Sequence, residues 1–314
     1  MAVFRTLALR RMEEELRDFT LADVFEKLRM DDDSFEEWLR SIGLLASPRC
    51  SSCQRPMTLN YCYRRDCRYG PNGNNKPFAT ILGGSFFSQC RIAVVKVFAL
   101  SYLWVRELGL VKDKSYELGI GHTSIVQWEQ YFRDVCCQYF RRNRPVLGGF
   151  GHVVEIDETC VTKRKYNRGR IVRRHQWLFG GYERGSGRSF LVLVRRRDAR
   201  TLLRLITKYI RPGTTILSDC WQAYNRITAL PQLYTHLTVN HQVNFVNPQT
   251  GAHTQNIESH WQRFKRMAKQ KCGINNRRYG DYLKEFLWRR MFGTRGESLY
   301  NFWRQVADLY PVPC

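Results

Sequence analysis

Three acidic residues, Asp157, Asp219 and Glu258, stand where separate structural elements are expected to begin or end. Asp157 lies in the apolar stretch VVEIDET, Asp219 ends the stretch TTILSD, and Glu258 follows the polar run HTQNI. Hard divalent cations prefer oxygen ligands, so these carboxylates could hold two Mg²⁺ ions about 4 Å apart. Such a pair activates an attacking oxygen and stabilises a leaving one, which is the chemistry of in-line phosphodiester cleavage and strand transfer.

The strand around Asp157 leaves alternatives open. Residues 153–156 are mostly apolar, and an unpaired ionised side chain in a buried strand costs several kcal/mol. Asp157 therefore needs a partner, which could be an arginine, backbone amides at the strand end or a metal ion. Glu155 is a rival ligand because the two-residue period puts it on the same face as Asp157, whereas Glu158 lies on the other face. Carboxylates at strand ends also often cap loops.

The elements that would position these carboxylates follow in a recognisable order. The pattern predicts strands at 152–158, 175–183, 187–196 and 214–218, with a basic turn at 163–174 and a helix at 198–210. This order predicts an RNase-H-like α/β sheet in which the strands of Asp157 and Asp219 lie side by side. A further strand near YTHLTVNH precedes a helix with Glu258 in its first or second turn, and the start of that helix can dock against the strand ends.

The charge of the chain is large and uneven. The 314 residues carry a formal charge of +23, but residues 1–45 hold seven Lys or Arg against eleven Asp or Glu, which leaves 44 against 17 for the remainder. Basic residues interleaved with Tyr, Trp and Phe indicate a nucleic-acid partner, since phosphates supply most of the non-specific binding energy. A merely solvated basic surface is the alternative, although solubility needs a net charge of only about 2 to 8.

Other broad classes are disfavoured. The most apolar stretch, residues 92–105, is interrupted by Lys96 and is shorter than the roughly 20 residues that cross a bilayer. The first residues lack the pattern of a secretory signal. We therefore expect a reducing compartment, in which the eleven cysteines serve as metal ligands or core thiols rather than disulfides.

Four of these cysteines are clustered in residues 46–90. Cys50 and Cys53 form a CxxC pair, and Cys62 and Cys67 follow with four residues between them. Two such pairs predict a zinc ribbon, in which a structural Zn²⁺ supplies folding energy that so short a segment cannot obtain from a core. The wider second spacing departs from an ordinary ribbon, so four unrelated thiols are the alternative.

Residues 91–147 are expected to form a helical DNA-binding domain that resembles a helix-turn-helix, preceded by an acidic helical region at 1–45. In 117–135 a short helix, a turn at 119–121 and a cap at Thr123 or Ser124 lead into a second helix. Its predicted buried face is formed by Ile125, Trp128, Phe132 and Val135, which leaves Gln127, Gln130, Tyr131 and Arg133 to reach a DNA groove. An ordinary helical hairpin is the alternative.

The stretches VVEIDET, ILSDCWQAYN and above all VNHQVNFVNPQTGAHTQNIESHWQRFKR resemble the catalytic domain of the Merlin superfamily of DDE-type DNA transposases, relatives of a bacterial insertion-sequence group. The resemblance covers roughly residues 148–295 and implies a catalytic domain at 148–314. It makes Asp157, Asp219 and Glu258 the catalytic and Mg²⁺-binding triad, with Mn²⁺ able to substitute. It also implies cut-and-paste transposition by a homodimer or higher homo-oligomer acting on double-stranded DNA, both terminal inverted repeats and target, with nuclear localisation in a eukaryotic host.

Neighbouring residues gain expected roles from their position. The segment 162–174 holds seven basic residues expected to lie along DNA, with a nuclear localisation signal as the competing use: Lys163, Arg164, Lys165, Arg168, Arg170, Arg173 and Arg174. Arg263, Lys265 and Arg266 are expected to contact phosphates, unless they form a solvated helix face. His253 and Thr254 are expected to bind the scissile phosphate or orient Glu258, with simple helix capping as the alternative for Thr254.

Two other functions compete with transposition. A domesticated regulator would keep the DNA-binding modules without catalysis, and an RNase-H-like nuclease would hydrolyse nucleic acid without strand transfer. The intact set of three acidic residues argues against the regulator.

Overall fold

The computed structural model describes residues 2–46, 82–160, 176–240, 246, 251–271 and 274–312. No helix in these ranges is both long and apolar enough to cross a membrane. The described part forms two compact units, residues 1–139 with 292–314 and residues 140–291. Its helices and strands are α1 (Ala2–Leu16), α2 (Leu21–Leu28), α3 (Asp32–Ser41), α4 (Val94–Val105), α5 (Val111–Leu118), α6 (His122–Arg142), β1 (Val153–Cys160), β2 (Trp177–Glu183), β3 (Ser189–Val194), α7 (Ala199–Tyr209), β4 (Thr215–Asp219), β5 (Thr235–Val239), α8 (Gln255–Gln270), α9 (Tyr279–Phe292) and α10 (Ser298–Leu309).

The first unit is helical, and its helix starts follow from local sequence. At the start of α2, the Thr20 hydroxyl accepts from the amide of Asp23, whose carboxylate accepts from the amide of Thr20 at 2.7 Å. At the start of α3, Asp31 accepts from the amide of Ser34 at 2.9 Å. The C-terminal residues 292–314 also belong to this unit, whereas the sequence analysis placed them in the catalytic domain.

Aromatic side chains form the centre of the first unit. Phe98 of α4 stacks on Trp303 of α10 with ring centroids 5.5 Å apart, and the ring of Trp38 meets Phe98 edge-on at 5.2 Å. The indole of Trp303 also donates to the hydroxyl of Ser101 at 3.1 Å, so its polar atom is satisfied inside the core. Such pairs add about 0.5 to 1.5 kcal/mol each beyond burial. The acidic N-terminal helices are therefore part of a packed core rather than a free tail.

Helices α5 and α6 form the hairpin expected from residues 117–135. Gly119 ends α5 at φ +58°, and α6 begins at His122, before the predicted cap at Thr123 or Ser124. The predicted apolar face of α6 is buried. Gln127 and Tyr131 are exposed, but Arg133 is only 3% exposed and donates to the side chain of Gln130 at 2.7 Å. The prediction that Gln130 and Arg133 are free to reach a DNA groove is therefore wrong. Both side chains are buried, because their polar groups bond to each other inside the unit.

The hairpin also contains a buried ion pair between Lys114 of α5 and Glu129 of α6, with Nζ and Oε1 2.7 Å apart. Breaking a buried pair leaves an uncompensated charge, so Glu129→Gln is expected to lower the free energy of unfolding by about 3 kcal/mol. The double variant Lys114→Met with Glu129→Leu should lose much less, since neither charge is left behind. Urea unfolding of the single and double variants checks this, and equal losses would contradict it.

The second unit is built on a mixed five-stranded sheet with the order β3-β2-β1-β4-β5. Strands β1, β2 and β3 pair antiparallel, and β1, β4 and β5 pair parallel. Helix α7 makes the crossover from β3 to β4, and α8 follows β5. The element order and the adjacency of the strands carrying the two aspartates are as the sequence predicts.

Each face of this sheet is covered by its own apolar core. Val154 and Ile156 of β1 pack with Leu202 and Ile206 of α7, and we call this side the α7 face. The opposite side, the α8 face, packs Leu178 and Leu191 of the sheet against residues of α8 and α9, including Ile257, Trp261, Phe264 and Phe286. Because side chains alternate along a strand, residues 155, 157 and 159 of β1 point to the α8 face and residues 154, 156 and 158 to the α7 face.

Candidate active site

Parallel pairing of β1 with β4 brings Asp157 and Asp219 to neighbouring positions. Glu155 pairs with Leu217, and each aspartate lies two residues further along its strand. The two-residue period therefore puts both aspartates on the α8 face of the sheet. Burial is the main cause of the raised pKa of Asp157, and the charge of the neighbouring Asp219 adds to it. Neither aspartate forms an ion pair with a lysine or arginine in the ranges that the structure describes.

Asp157 is held from above by the helix that covers this face. The indole Nε1 of Trp261 donates to its Oδ2 at 2.9 Å. Burial, followed by the charge of Glu158, raises the pKa of Asp157 to about 7, against the opposing effect of the Trp261 hydrogen bond. A carboxylate in such surroundings is stabilised by a bound cation, which is the condition that a metal ligand must meet.

A glycine allows Trp261 to approach so closely. Gly180 of β2 pairs with Asp157, and a Cβ atom there would lie 2.6 Å from the ring of Trp261. Real Cβ atoms do not reach that distance, so any other residue at this position would push the ring away from Asp157. The glycine is thus part of the support for the first aspartate.

Glu158 extends the negative charge to the other side of β1. It points to the α7 face, where the hydroxyl of Tyr224 donates to its Oε1. The pKa of Glu158 is raised to about 7, chiefly by burial and also by the charge of Asp219, against the opposing effects of the Tyr224 hydrogen bond and the charge of Arg197. Three carboxyl groups therefore interact at the ends of β1 and β4. The sequence analysis identified the face of Glu158 but gave it no part in the site.

Glu155, the rival ligand, is fully buried and engaged by four donors. Its Oε1 accepts from Arg184 Nε at 2.7 Å and from the Asn256 side chain at 2.7 Å. Its Oε2 accepts from the backbone amides of Asn256 at 3.0 Å and Ile257 at 3.1 Å. The carboxylate thus binds the positive N-terminal end of α8 and leaves little capacity for a metal ion. Its role is to anchor the start of α8 to β1.

This anchor should be essential for the second unit. Glu155→Gln keeps the shape but removes the charge that compensates Arg184 and the amides, so we expect the free energy of unfolding to fall by about 3 kcal/mol. Urea unfolding followed by intrinsic fluorescence measures the loss. Glu37→Gln, a charge-matched change at a side chain 73% exposed, should cost less than about 0.5 kcal/mol. A Glu155 variant as stable as that control would refute the anchoring role.

Glu258 lies exposed in the first turn of α8, where the Thr254 hydroxyl donates to its Oε1 at 3.1 Å. Thr254 makes no side-chain cap of the helix, so its contact with Glu258 is the orienting role that the sequence analysis considered. Glu258, Trp261 and Lys265 occupy one stripe of α8 by their spacing of three, four and seven. That stripe faces β1, because Trp261 contacts Asp157 and Lys265 donates to Thr159 at 2.6 Å.

Among the described residues, no three or more His, Cys, Asp or Glu side chains lie close enough together to hold a metal ion. The structure brings Asp157, Glu158 and Asp219 into electrostatic contact and puts Glu258 on the helix stripe that faces the same strand. The carboxylate oxygens and the lack of ion pairs on both aspartates fit the preferences of Mg²⁺.

The remaining predicted residues are placed as follows. His253 Nδ1 lies 3.6 Å from Glu155 Oε1 and makes no hydrogen bond, while the His253 carbonyl accepts from Arg184 at 2.9 Å. Arg263 and Arg266 are exposed on α8. The basic segment 162–174 and the four predicted zinc ligands lie outside the described residues.

A family model matches the part of the chain that contains this site. Residues 146–290 match the family model of the ISXO2-like transposase domain, a range that contains all three predicted catalytic residues. The match supports a DNA transposase enzyme of the DDE type from the insertion-sequence group. The finer assignment to the Merlin superfamily stays a prediction. No curated protein matches the chain.

Similar solved structures come from retroviruses. The HTLV-2 integrase catalytic core domain in complex with magnesium, in its dimeric form, is 14% identical with a TM-score of 0.31, over 46% of this chain and 88% of that one. Its trimeric form is 12% identical with a TM-score of 0.30, over 46% and 87%. The simian T-cell lymphotropic virus intasome in complex with the PP2A regulatory subunit B56 gamma is 14% identical with a TM-score of 0.31, over 60% and 67%. The transposase assignment rests on the family match.

Proposed function

We propose that the protein is a cut-and-paste DNA transposase with an RNase-H-like catalytic domain, in which Asp157, Asp219 and Glu258 bind two Mg²⁺ ions. The observation that carries this proposal is the pairing of β1 with β4, which sets two half-buried aspartates side by side under the helix that bears Glu258. Neither aspartate forms an ion pair with another described residue. The family match over residues 146–290 supports the same reaction class.

The chain's own residues prepare the site for DNA. Trp261 fixes the carboxylate of Asp157, Thr254 fixes that of Glu258, and Glu155 holds the start of α8 against β1. The ions, when bound, would activate the attacking water or 3′-hydroxyl and stabilise the leaving oxygen. The exposed side chains of Arg263 and Arg266 would bind the DNA backbone next to this site, together with the basic segment 162–174.

Incubation with labelled duplexes taken from the DNA ends that flank the coding sequence, in the presence of Mg²⁺, tests the reaction. Nicking followed by joining to a second duplex supports the transposase. Hydrolysis without joining would identify a nuclease, and binding alone would identify the domesticated regulator. Either of the last two results would overturn the proposal.

Three further parts of the proposal concern partners and context. The protein is proposed to work as a homodimer or higher homo-oligomer that bridges two terminal inverted repeats and to belong to the Merlin superfamily. In a eukaryotic host it is proposed to act in the nucleus, and in any other host in the cytoplasm or nucleoid. Light scattering of the protein with and without duplex ends tests the assembly, and a monomer on both would contradict it.

A structural Zn²⁺ held by Cys50, Cys53, Cys62 and Cys67 is also proposed, on the spacing of these cysteines alone. Elemental analysis of purified protein is expected to find one zinc per chain. Cys50→Ser with Cys53→Ser should remove it, whereas Cys136→Ser, a change at a buried cysteine of α6, should not. Zinc-free wild-type protein would remove this module from the proposal.

A further inference from the structure

The guanidinium of Arg197, whose charge acts on Glu158, lies close to two tryptophan rings. Its guanidinium carbon lies 4.2 Å from the ring centroid of Trp177 and 4.5 Å from that of Trp221. The Trp221 indole also donates to the backbone carbonyl of Arg197 at 3.4 Å. Contact with two indole rings restricts a side chain that would otherwise lose much rotamer entropy on binding a ligand. Arg197 is therefore oriented in advance of any partner.

The two tryptophans pack on the α7 face of the sheet, next to the strand ends that carry the carboxylates. Trp221 donates its backbone amide to Asp219 Oδ1 at 3.0 Å, so one residue both orients the second aspartate and stacks on Arg197. Trp177 begins β2 and pairs with Cys160 at the end of β1, three residues after Asp157. The charge of Arg197 also acts on Glu158. The guanidinium therefore lies at the border of the acidic cluster.

The donors of this guanidinium are not used within the protein. Arg197 makes no side-chain hydrogen bond and no ion pair with another residue in the ranges that the structure describes. The guanidinium lies close to two indole rings, but the residue is only half-buried, so the N–H groups on its planar edge are within reach of a ligand. A planar edge of this kind matches the non-bridging oxygens of a phosphate, to which it can donate two parallel hydrogen bonds.

We propose that Arg197 binds a phosphate of the DNA strand beside Asp219 and Glu158, and so positions the strand for cleavage. This inference rests on the proposed function, because it places a phosphodiester at the carboxylate site. The alternative is that the arginine only fills the space between Trp177 and Trp221. The two roles differ in whether the effect of Arg197 depends on one particular phosphate of the substrate.

The test replaces phosphates of the cleaved strand one at a time with neutral methylphosphonates and measures cleavage by the wild-type protein and by Arg197→Gln. One position near the cleavage site is expected to slow the wild-type protein about 10- to 100-fold, the range of a hydrogen bond to a charged group. Arg197→Gln should be slowed by a similar factor on unmodified DNA. The same methylphosphonate should then slow the variant less than about threefold, since the contact is already lost.

Two further variants keep the test independent of folding. Arg195→Gln makes the same charge change at an exposed neighbour and should leave the effect of that methylphosphonate intact. Arg197→Lys keeps a cation between the indoles but lacks the planar edge, so its rate should lie between those of the wild type and Arg197→Gln. Thermal unfolding midpoints of all variants report on packing.

The outcomes separate the inference from the function on which it rests. Wild-type cleavage with independent effects of Arg197 and every phosphate would overturn the inference and leave the transposase proposal standing. Equal coupling of Arg195 and Arg197 to the same phosphate would overturn it too, since it would show only general charge attraction. A wild-type protein that cleaves no DNA end would overturn both.

Discussion

Asp157→Asn is expected to lower DNA cleavage by at least about 10³-fold while DNA binding changes little. The substitution keeps the size of the side chain, and the amide oxygen can still accept the hydrogen bond from Trp261. It removes the negative charge that a divalent ion needs from its ligand, and metal stabilisation of the transition state is worth several kcal/mol, or about 10³-fold in rate. Single-turnover cleavage of a labelled duplex end, with binding measured separately in Ca²⁺, gives both quantities.

The matched control is Asp308→Asn, an equal loss of charge at a carboxylate 46% exposed on α10 of the other unit. It should cleave at close to the wild-type rate, because its exposed ion pairs contribute little. Thermal unfolding of both variants shows whether each remains folded. If the Asp157 variant cut DNA at the rate of this control, Asp157 would have no place in the catalytic site.

The sheet could be predicted because its signals are local. Apolar strands separated by turns predicted β1, β2, β3 and β4 to within two residues at most boundaries, and the crossover helix α7 likewise. Adjacency of β1 and β4 followed from the element order, in which two hairpin-linked strands, a third strand, a crossover helix and a fourth strand are typical of an RNase-H-like sheet. The sequence therefore contained enough information to put Asp157 next to Asp219.

The supports of the site could not be predicted, because they depend on distant contacts. The hydrogen bond from Trp261 to Asp157 joins residues 104 positions apart, and no pattern in the local sequence predicts it. The apolar periodicity of α8 places the ring of Trp261 in the core, where it lies, but it does not show that the Nε1 donor of this ring binds Asp157. Gly180 gives a weak signal, since a glycine inside an apolar strand often marks a close approach.

Arg133 shows the limit of helical phase as a guide. Its position on α6 predicts a solvent-facing side chain beside Gln130, but both are buried and bonded to each other. Periodicity assigns polar residues to the outside, and it does not recognise polar groups that satisfy one another inside a core. Glu155 is a second example. The two-residue period of β1 made it a candidate metal ligand, but it does not show that four donors already engage its carboxylate.

A comparison of Glu258→Gln with Glu158→Gln identifies the third ligand of the metal ions. Glu258→Gln is expected to lower cleavage by at least about 10³-fold. Glu258 lies on the stripe of α8 that faces β1, on the side of the sheet shared by Asp157 and Asp219. Glu158→Gln should retain cleavage within about tenfold, because Glu158 points to the opposite face, where Tyr224 donates to it.

Both variants remove one charge near the same two aspartates, so each serves as the control for the other. Cleavage rates in Mg²⁺ and in Mn²⁺ over a range of ion concentrations distinguish two causes of a lower rate. Either the variant binds the ions more weakly, or it cleaves more slowly once the ions are bound. If the Glu158 variant lost cleavage and the Glu258 variant kept it, Glu158 would be the third ligand. The site would then open to the α7 face of the sheet, where Arg197 is held between its two tryptophans.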